Sequence, residues 1–131
     1  MQQQIAHMAL IVRDYDEAID FYTIKLQFDL VEDTRLSDTK RWVLVRPKGG
    51  TTSLLLARAT DEVQQQAIGN QAGGRVFIIL KTDNIERDYQ QQLKHGIEIV
   101  KQPVSEPNGQ VCVFADLYGN KWDLIGPAKA S

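Results

Sequence analysis

The first apolar segment, Ile5-Ala6-His7-Met8-Ala9-Leu10-Ile11-Val12, is broken only by His7 and ends in β-branched residues. Its length and ending predict a strand buried on both faces. Asp14 then stands where a helix N-cap belongs. Behind it Ala18, Ile19, Phe21, Tyr22, Lys25 and Leu26 recur at helical spacing and give one stripe that can pack on a sheet. Strands are predicted at Phe28 to Asp33, Arg41 to Arg46 and Thr51 to Ala57, the last two separated by the turn Pro47-Lys48-Gly49-Gly50. Asp61 to Ile68 is polar and Gln-rich and reads as a short linker helix. Gly69-Asn70-Gln71-Ala72-Gly73-Gly74 is the weakest stretch for regular structure and marks a boundary between halves.

The second half repeats the first. Arg75 to Lys81 reads as a strand, Asp83 as the cap of a helix through Lys94, and Gly96 as its left-handed C-cap. Ile97 to Lys101, Val111 to Ala115 and Lys121 to Ile125 read as strands, with Pro103 to Gly109 as a turn-rich loop. Asp14 to Val31 and Asp83 to Val100 have equal length, and Phe28-Asp29-Leu30-Val31 matches Ile97-Glu98-Ile99-Val100 in pattern. The consequence is two copies of strand-helix-strand-strand-strand, about residues 4–60 and 74–126, joined by a linker at about 61–73 within one domain. One helix shields one face of a four-stranded sheet, so the other face is expected to meet its counterpart and enclose a cleft.

Strand alternation sorts the residues by face. Met8, Leu10, Val12, Val76, Ile78, Leu80, Trp122 and Leu124 are expected beneath the helices. His7, Ala9, Ile11, Arg75, Phe77, Ile79, Asp123 and Ile125 are expected to line the cleft, with Trp42, Leu44 and Arg46 on the same side.

Composition excludes several classes. The chain has 131 residues, 43% hydrophobic and 24% charged, with 15 basic and 17 acidic side chains for a net charge of −2. A nucleic-acid partner is not expected, because phosphate binding needs a clustered basic field. No apolar run approaches the ~20 residues of a membrane helix. Met1-Gln2-Gln3-Gln4 has neither a charged leader nor an apolar stretch, so no signal peptide and a cytosolic address are expected. A single cysteine, Cys112, excludes an internal disulfide and a thiolate zinc cluster. The three Gln-Gln-Gln runs read as a solvated tail and helix faces.

The pattern Asp14…Ala18-x-x-Phe21-Tyr22-x-x-x-Leu26-x-Phe28 resembles the opening of the glyoxalase/bleomycin-resistance/extradiol-dioxygenase superfamily, also called vicinal oxygen chelate proteins. The closing Phe114-Ala115-Asp116-x-x-Gly119-Asn120-Lys121-Trp122-Asp123-Leu124-Ile125 looks like that family's final hairpin. The resemblance runs from about Ile5 to Ile125. Gln27 and Leu117 depart from it, standing where glycine and proline are usual. The resemblance implies an α+β fold of two paired βαβββ modules, often a homodimer. Family enzymes hold a divalent metal with His, Glu or Gln side chains, and such chemistry needs at least three protein ligands with open positions for substrate. By the resemblance, His7 takes the first-strand ligand position and Asp123 that of the last-strand glutamate. The fourth-strand position falls within Leu54-Leu55-Leu56, at Leu56. The fifth falls at Phe77, or within one residue at Val76 or Ile78. None of these can bind a metal.

The expected cleft therefore holds two polar groups, His7 and Asp123, among Trp42, Leu56 and Phe77. These five are the ligand-binding candidates, and His7 and Asp123 are remnant metal positions. Were these two to meet, they could orient a ligand, serve as a catalytic general-base dyad or form a purely structural pair. Trp42 and Phe77 read as packing or as a surface for planar ligands. Glu106 and Asn108, in the loop at the cleft mouth, read as ligand contacts or turn chemistry. His95 reads as a surface residue at a helix C-terminus, and Cys112 as an inert buried thiol. The leading expectation is a cytosolic protein that binds a small organic molecule with no cofactor. The alternatives are a metal-dependent lyase, isomerase or dioxygenase of the glyoxalase type, and an antibiotic-sequestering resistance protein. Bleomycin-type ligands are cationic, whereas Arg75 and Arg46 make this cleft mixed in charge.

Overall fold

The first apolar run forms β1 (His7–Val12), followed by α1 (Tyr15–Asp20), a π-helical turn (Phe21–Lys25), β2 (Asp29–Arg35), β3 (Arg41–Arg46), β4 (Ser53–Arg58) and α2 (Glu62–Ala67). The second half supplies β5 (Val76–Lys81), α3 (Ile85–Lys94), β6 (Ile99–Glu106), β7 (Gly109–Ala115) and β8 (Lys121–Gly126). The coordinates are a computed structural model, which describes residues 1–129. The chain divides into two units, Met1–Ile68 and the remainder from Gly69. Each unit is one βαβββ module with a four-stranded mixed sheet, in the orders β1-β4-β3-β2 and β5-β8-β7-β6. Among the described residues, no helix is long and apolar enough to cross a membrane.

In the first unit β1 runs parallel to β4, with Met8, Leu10 and Val12 opposite Leu54, Leu56 and Arg58. On β3, Val43 and Val45 lie opposite Leu56 and Leu54. Cross-strand partners share a face, so these residues form one layer. Leu10, Val12, Val43, Val45, Leu54 and Leu56 are all buried in it. Each such side chain contributes roughly 1.5–3 kcal/mol relative to exposure. The helical stripe completes the core: Tyr15, Ala18, Phe21 and Tyr22 are buried, with Phe21 and Tyr22 packed edge to face at 5.2 Å. Asp14 caps α1, its carboxylate accepting from Glu17 N at 2.9 Å. Asp61 does the same for α2 through Gln64 N.

The second unit repeats the register. Ile78 and Leu80 lie opposite Trp122 and Leu124, which lie opposite Phe114 and Cys112. Trp122, Leu124, Phe114 and Cys112 are buried, and Phe114 stacks on Trp122 at 5.7 Å. Ile85 and Gln92 of α3 are buried, and Ile85 lies so close to Gly126 that a Cβ there would stand 3.1 Å from its own.

Five expectations are corrected. β1 is not buried on both faces, since Leu10 and Val12 are buried but His7, Met8 and Ala9 are exposed, and Gln92, in a run expected to be solvated, is buried. Asn84, not Asp83, caps α3, its side chain accepting from Arg87 N at 3.0 Å. Asp83 instead pairs with the Arg87 guanidinium, whose hydrogen bond holds the exposed carboxyl below the usual carboxylate range. The segment from Pro103 is strand rather than loop: β6 continues to Glu106, and only Pro107-Asn108 separate it from Gly109. β6 is an edge strand with two register shifts, a setting that tolerates a proline without a donor. Finally, a register shift between Val76 and Ile78 places Val76 opposite Lys121, off the helix face.

The same left-handed turn closes both helices, with Gly96 at φ 70° and Gln27 at φ 61°. The repeat thus places glutamine where its partner module uses glycine. Left-handed strain of roughly 1–2 kcal/mol for an L-residue outweighs the extra chain entropy of glycine, roughly 0.5–1 kcal/mol. Gln27→Gly is expected to raise the unfolding free energy by about 0.5 kcal/mol and Gly96→Ala to lower it by about 1 kcal/mol. Urea denaturation reads both; a loss of stability in Gln27→Gly contradicts the assignment.

Candidate functional site

The sheet face opposite α1 carries the first candidates. His7, Ala9 and Ile11 lie opposite Ser53, Leu55 and Ala57, and Leu44 lies opposite Leu55. Alternation along β3 adds Trp42 and Arg46. His7 and Trp42 come from strands on either side of β4, and their rings meet edge to face with centroids 6.1 Å apart and planes at 77°. Such a pair contributes about 0.5–1.5 kcal/mol beyond its burial. His7 is exposed, Trp42 half-buried and Leu44 buried.

Leu56 does not share that face. Its partners are Leu10 and Val43 in the core beneath α1, and it is 1% exposed. The residue beside His7 and Trp42 is Leu55, half-buried. The repeat gives the same result: Leu124 occupies the place of Leu56, so Asp123 corresponds to Leu55.

In the second unit Asp123 lies between Ile79 of β5 and Val113 of β7. It is half-buried, as is Phe77, whereas Ile79 is 62% exposed. Phe77 falls at the register shift and has no Cα partner on β8. His7 thus belongs to the first unit and Asp123 to the second.

The family's metal centre can be tested against these donors. Among the described residues, no group of three or more His, Cys, Asp or Glu is placed to hold a metal ion. Serine, leucine and tryptophan surround His7 on its face, and the two cross-strand partners of Asp123 are aliphatic. This donor set does not fit a three-ligand centre.

Each unit also contains a hollow at the end of its sheet. The first, of about 370 Å³, is lined by Tyr15, Trp42, Leu55, Leu56, Arg41 and Arg58 among others, so Leu56, although 1% exposed, does border this hollow. Its volume lies in the range of roughly 300–1,000 Å³ typical of small-ligand sites. Arg41 is fully engaged there: Nε and Nη2 donate to the Asp33 carboxylate at 3.1 and 2.7 Å, and Nη1 to Asp16 at 2.9 Å. The hydrogen bond from Arg41 is the main cause that lowers the Asp33 pKa, and burial opposes it. The second hollow, of about 800 Å³, is lined by Glu106 and Asn108 together with Lys81, Asp83, Val111 and Ile125. The hairpin end singled out in the sequence thus faces a concavity within its own unit.

The remaining candidates are structural. Burial pushes the Cys112 thiol up to about 11, which leaves little thiolate at neutral pH. His95 is the C-cap residue of α3, 2.7 Å from Gln91 Nε2. In the closing motif Asp116 is the centre of a turn. Its Oδ1 accepts from Tyr118 N and Asn120 N, and its Oδ2 from Asn120 Nδ2, each at 2.9 Å. Gly119 supplies the positive φ, and Leu117 is exposed. This signature therefore specifies the fold. Sequence reasoning missed Tyr15 and Arg58 as lining residues. The available signal was Arg58 itself, a charge two places beyond Leu56 on a core row.

The comparisons agree with this architecture. Residues 4–124 match the Glyoxalase/Bleomycin resistance protein/Dioxygenase superfamily, and the chain belongs to that superfamily. An uncharacterized protein of Shewanella frigidimarina (strain NCIMB 400) is 56% identical over 127 residues, covering 95% of this chain and 94% of the other. The crystal structure of UcmS2 is similar at 28% identity and a TM-score of 0.83, covering 95% and 98% of the two chains. That of TnmS3, an antibiotic binding protein from Streptomyces sp. CB03234, is similar at 26% identity and a TM-score of 0.76, covering 97% and 98%.

Proposed function

We propose that this protein binds a small organic molecule on an apolar, aromatic surface rather than through a metal. The observation that carries this reading is the His7–Trp42 pair beside Leu44 and Leu55, where metal chemistry would call for further donors. Trp42 offers a ring face or edge to a planar ligand. His7 offers a nitrogen that donates or accepts and so orients the ligand. Asp123, with Phe77 and Ile79, gives the second sheet a polar group in apolar surroundings, and we assign it the same orienting role. Leu55 takes the contact role first expected of Leu56. The likeness to TnmS3, described as an antibiotic binding protein, supports an organic ligand.

A ligand present at 100 times its Kd stabilises the folded state by about 2.7 kcal/mol, a rise in Tm of roughly 5–15 °C for a domain of this size. Thermal melts against a panel of polycyclic aromatic metabolites and antibiotics are expected to contain such a rise, absent from Trp42→Ala. No shift across the panel, or a shift that survives Trp42→Ala, contradicts the reading.

A cytosolic homodimer completes the proposal. Ile79, 62% exposed in mid-strand, is the kind of apolar surface a second chain covers. Light scattering is expected to give twice the chain mass, and cell fractionation to recover the protein in the cytosol. A monomer at micromolar concentration, or recovery with membranes, contradicts it.

A further inference from the structure

The 370 Å³ hollow holds two arginines in unlike electrostatic situations. Arg41 is matched by two carboxylates. Arg58 has no carboxylate partner among the described residues. Its Nη2 donates to the Thr39 carbonyl at 2.8 Å, and its guanidinium carbon lies 5.9 Å from the centre of the Tyr15 ring. Its Nε is buried without a hydrogen-bond partner. The fork is thus held in place by an aromatic ring and a carbonyl, with no anionic group among the described residues paired to its positive charge.

The repeat shows that the fold does not require this charge. Two residues beyond Leu56 stands Arg58, against Tyr15 at the start of α1. Two residues beyond Leu124 stands Gly126, against Ile85 at the start of α3. The second module makes the same helix-to-strand junction with an aliphatic side chain on a glycine. A half-buried guanidinium is costly to leave unpaired, and an arginine fork matches a carboxylate bidentately. Trp42 and Leu55, whose side chains belong to the opposite face of the sheet, also border this hollow and give it an aromatic and an aliphatic wall.

We propose that Arg58 is an anion-binding residue, and that the ligand of this hollow is an aromatic acid whose carboxylate is held by Arg58 and whose ring lies against Trp42. This rests on the aromatic-surface reading above and narrows its ligand class.

The test compares 2-naphthoate with its neutral analogue 2-naphthamide by titration calorimetry. The wild-type protein is expected to prefer the acid by at least tenfold, the scale of a hydrogen bond to a charged group. Arg58→Met, which keeps much of the apolar stem, is expected to abolish the preference while the melting transition remains cooperative. Arg58→Lys, a charge without the fork, is expected to keep part of it. The wild-type comparison stands even if Arg58→Met fails to fold. Equal affinity for acid and amide, both lost in Trp42→Ala, overturns the acid inference and leaves the aromatic surface standing. A preference that depends on Arg58 but survives Trp42→Ala keeps the anion site and removes the aromatic reading. Binding of neither probe, or an acid preference that persists in Arg58→Met, overturns the inference.

Discussion

One helix covers one face of each four-stranded sheet, and the strand register decides which residues that face receives. Parallel pairing of β1 with β4 and of β5 with β8 places Leu10 opposite Leu56 and Leu80 opposite Leu124. Because side chains alternate across a strand, this pairing commits every neighbouring position. Leu54, Val43 and Val45 go under α1, and Trp122, Phe114 and Cys112 go under α3. His7, Leu55 and Trp42, and on the other sheet Asp123 and Val113, are turned to the opposite side. A slip of one residue would put His7 and Asp123 into the cores and the leucines outside. Each module's candidate surface is therefore a by-product of core formation, and its chemistry is set by what remains on the face turned away from its helix.

What remains is poor in metal donors and rich in apolar surface. The same register that places Asp123 on its sheet places Leu55 at the equivalent position of the other, so the two modules have diverged in chemistry while retaining one geometry. They diverge again at the helix starts, where Ile85 on Gly126 packs without charge and Tyr15 carries two guanidiniums, Arg41 at 5.2 Å and Arg58 at 5.9 Å. Packing explains the first arrangement fully. The second leaves one positive charge over, which is why the smaller hollow is distinguished from the larger one, where Lys81 stands with Asp83 and Glu106.

Much of this was legible in the chain. Apolar runs and caps marked eight strands and three helices, and the repeat fixed the topology, because these signals are local. The difficulties arose where pairing or a neighbour decides. Three consecutive leucines, Leu54 to Leu56, have no internal sign of which faces the core; their partners on β1 and β3 settle it. Asp83 and Asn84 are both capable caps, and the choice shows only in the partners: Asn84 accepts from Arg87 N while Asp83 pairs with the Arg87 guanidinium. Pro103 looked like a loop residue because its exclusion from sheets is lifted at an edge strand. The His7–Trp42 contact spans an intervening strand, and the Tyr15–Arg58 stack joins residues 15 and 58. No periodicity reports either contact.

The central claim is that an organic ligand is held by aromatic and polar side chains without a chelated metal. Calorimetric titration of an aromatic acid, run on protein exhaustively treated with a chelator and again with added zinc, nickel or manganese, tests it most directly. Equal affinity in all conditions is the expected result. Binding that appears only with one of the metals, and disappears in His7→Ala, would contradict it.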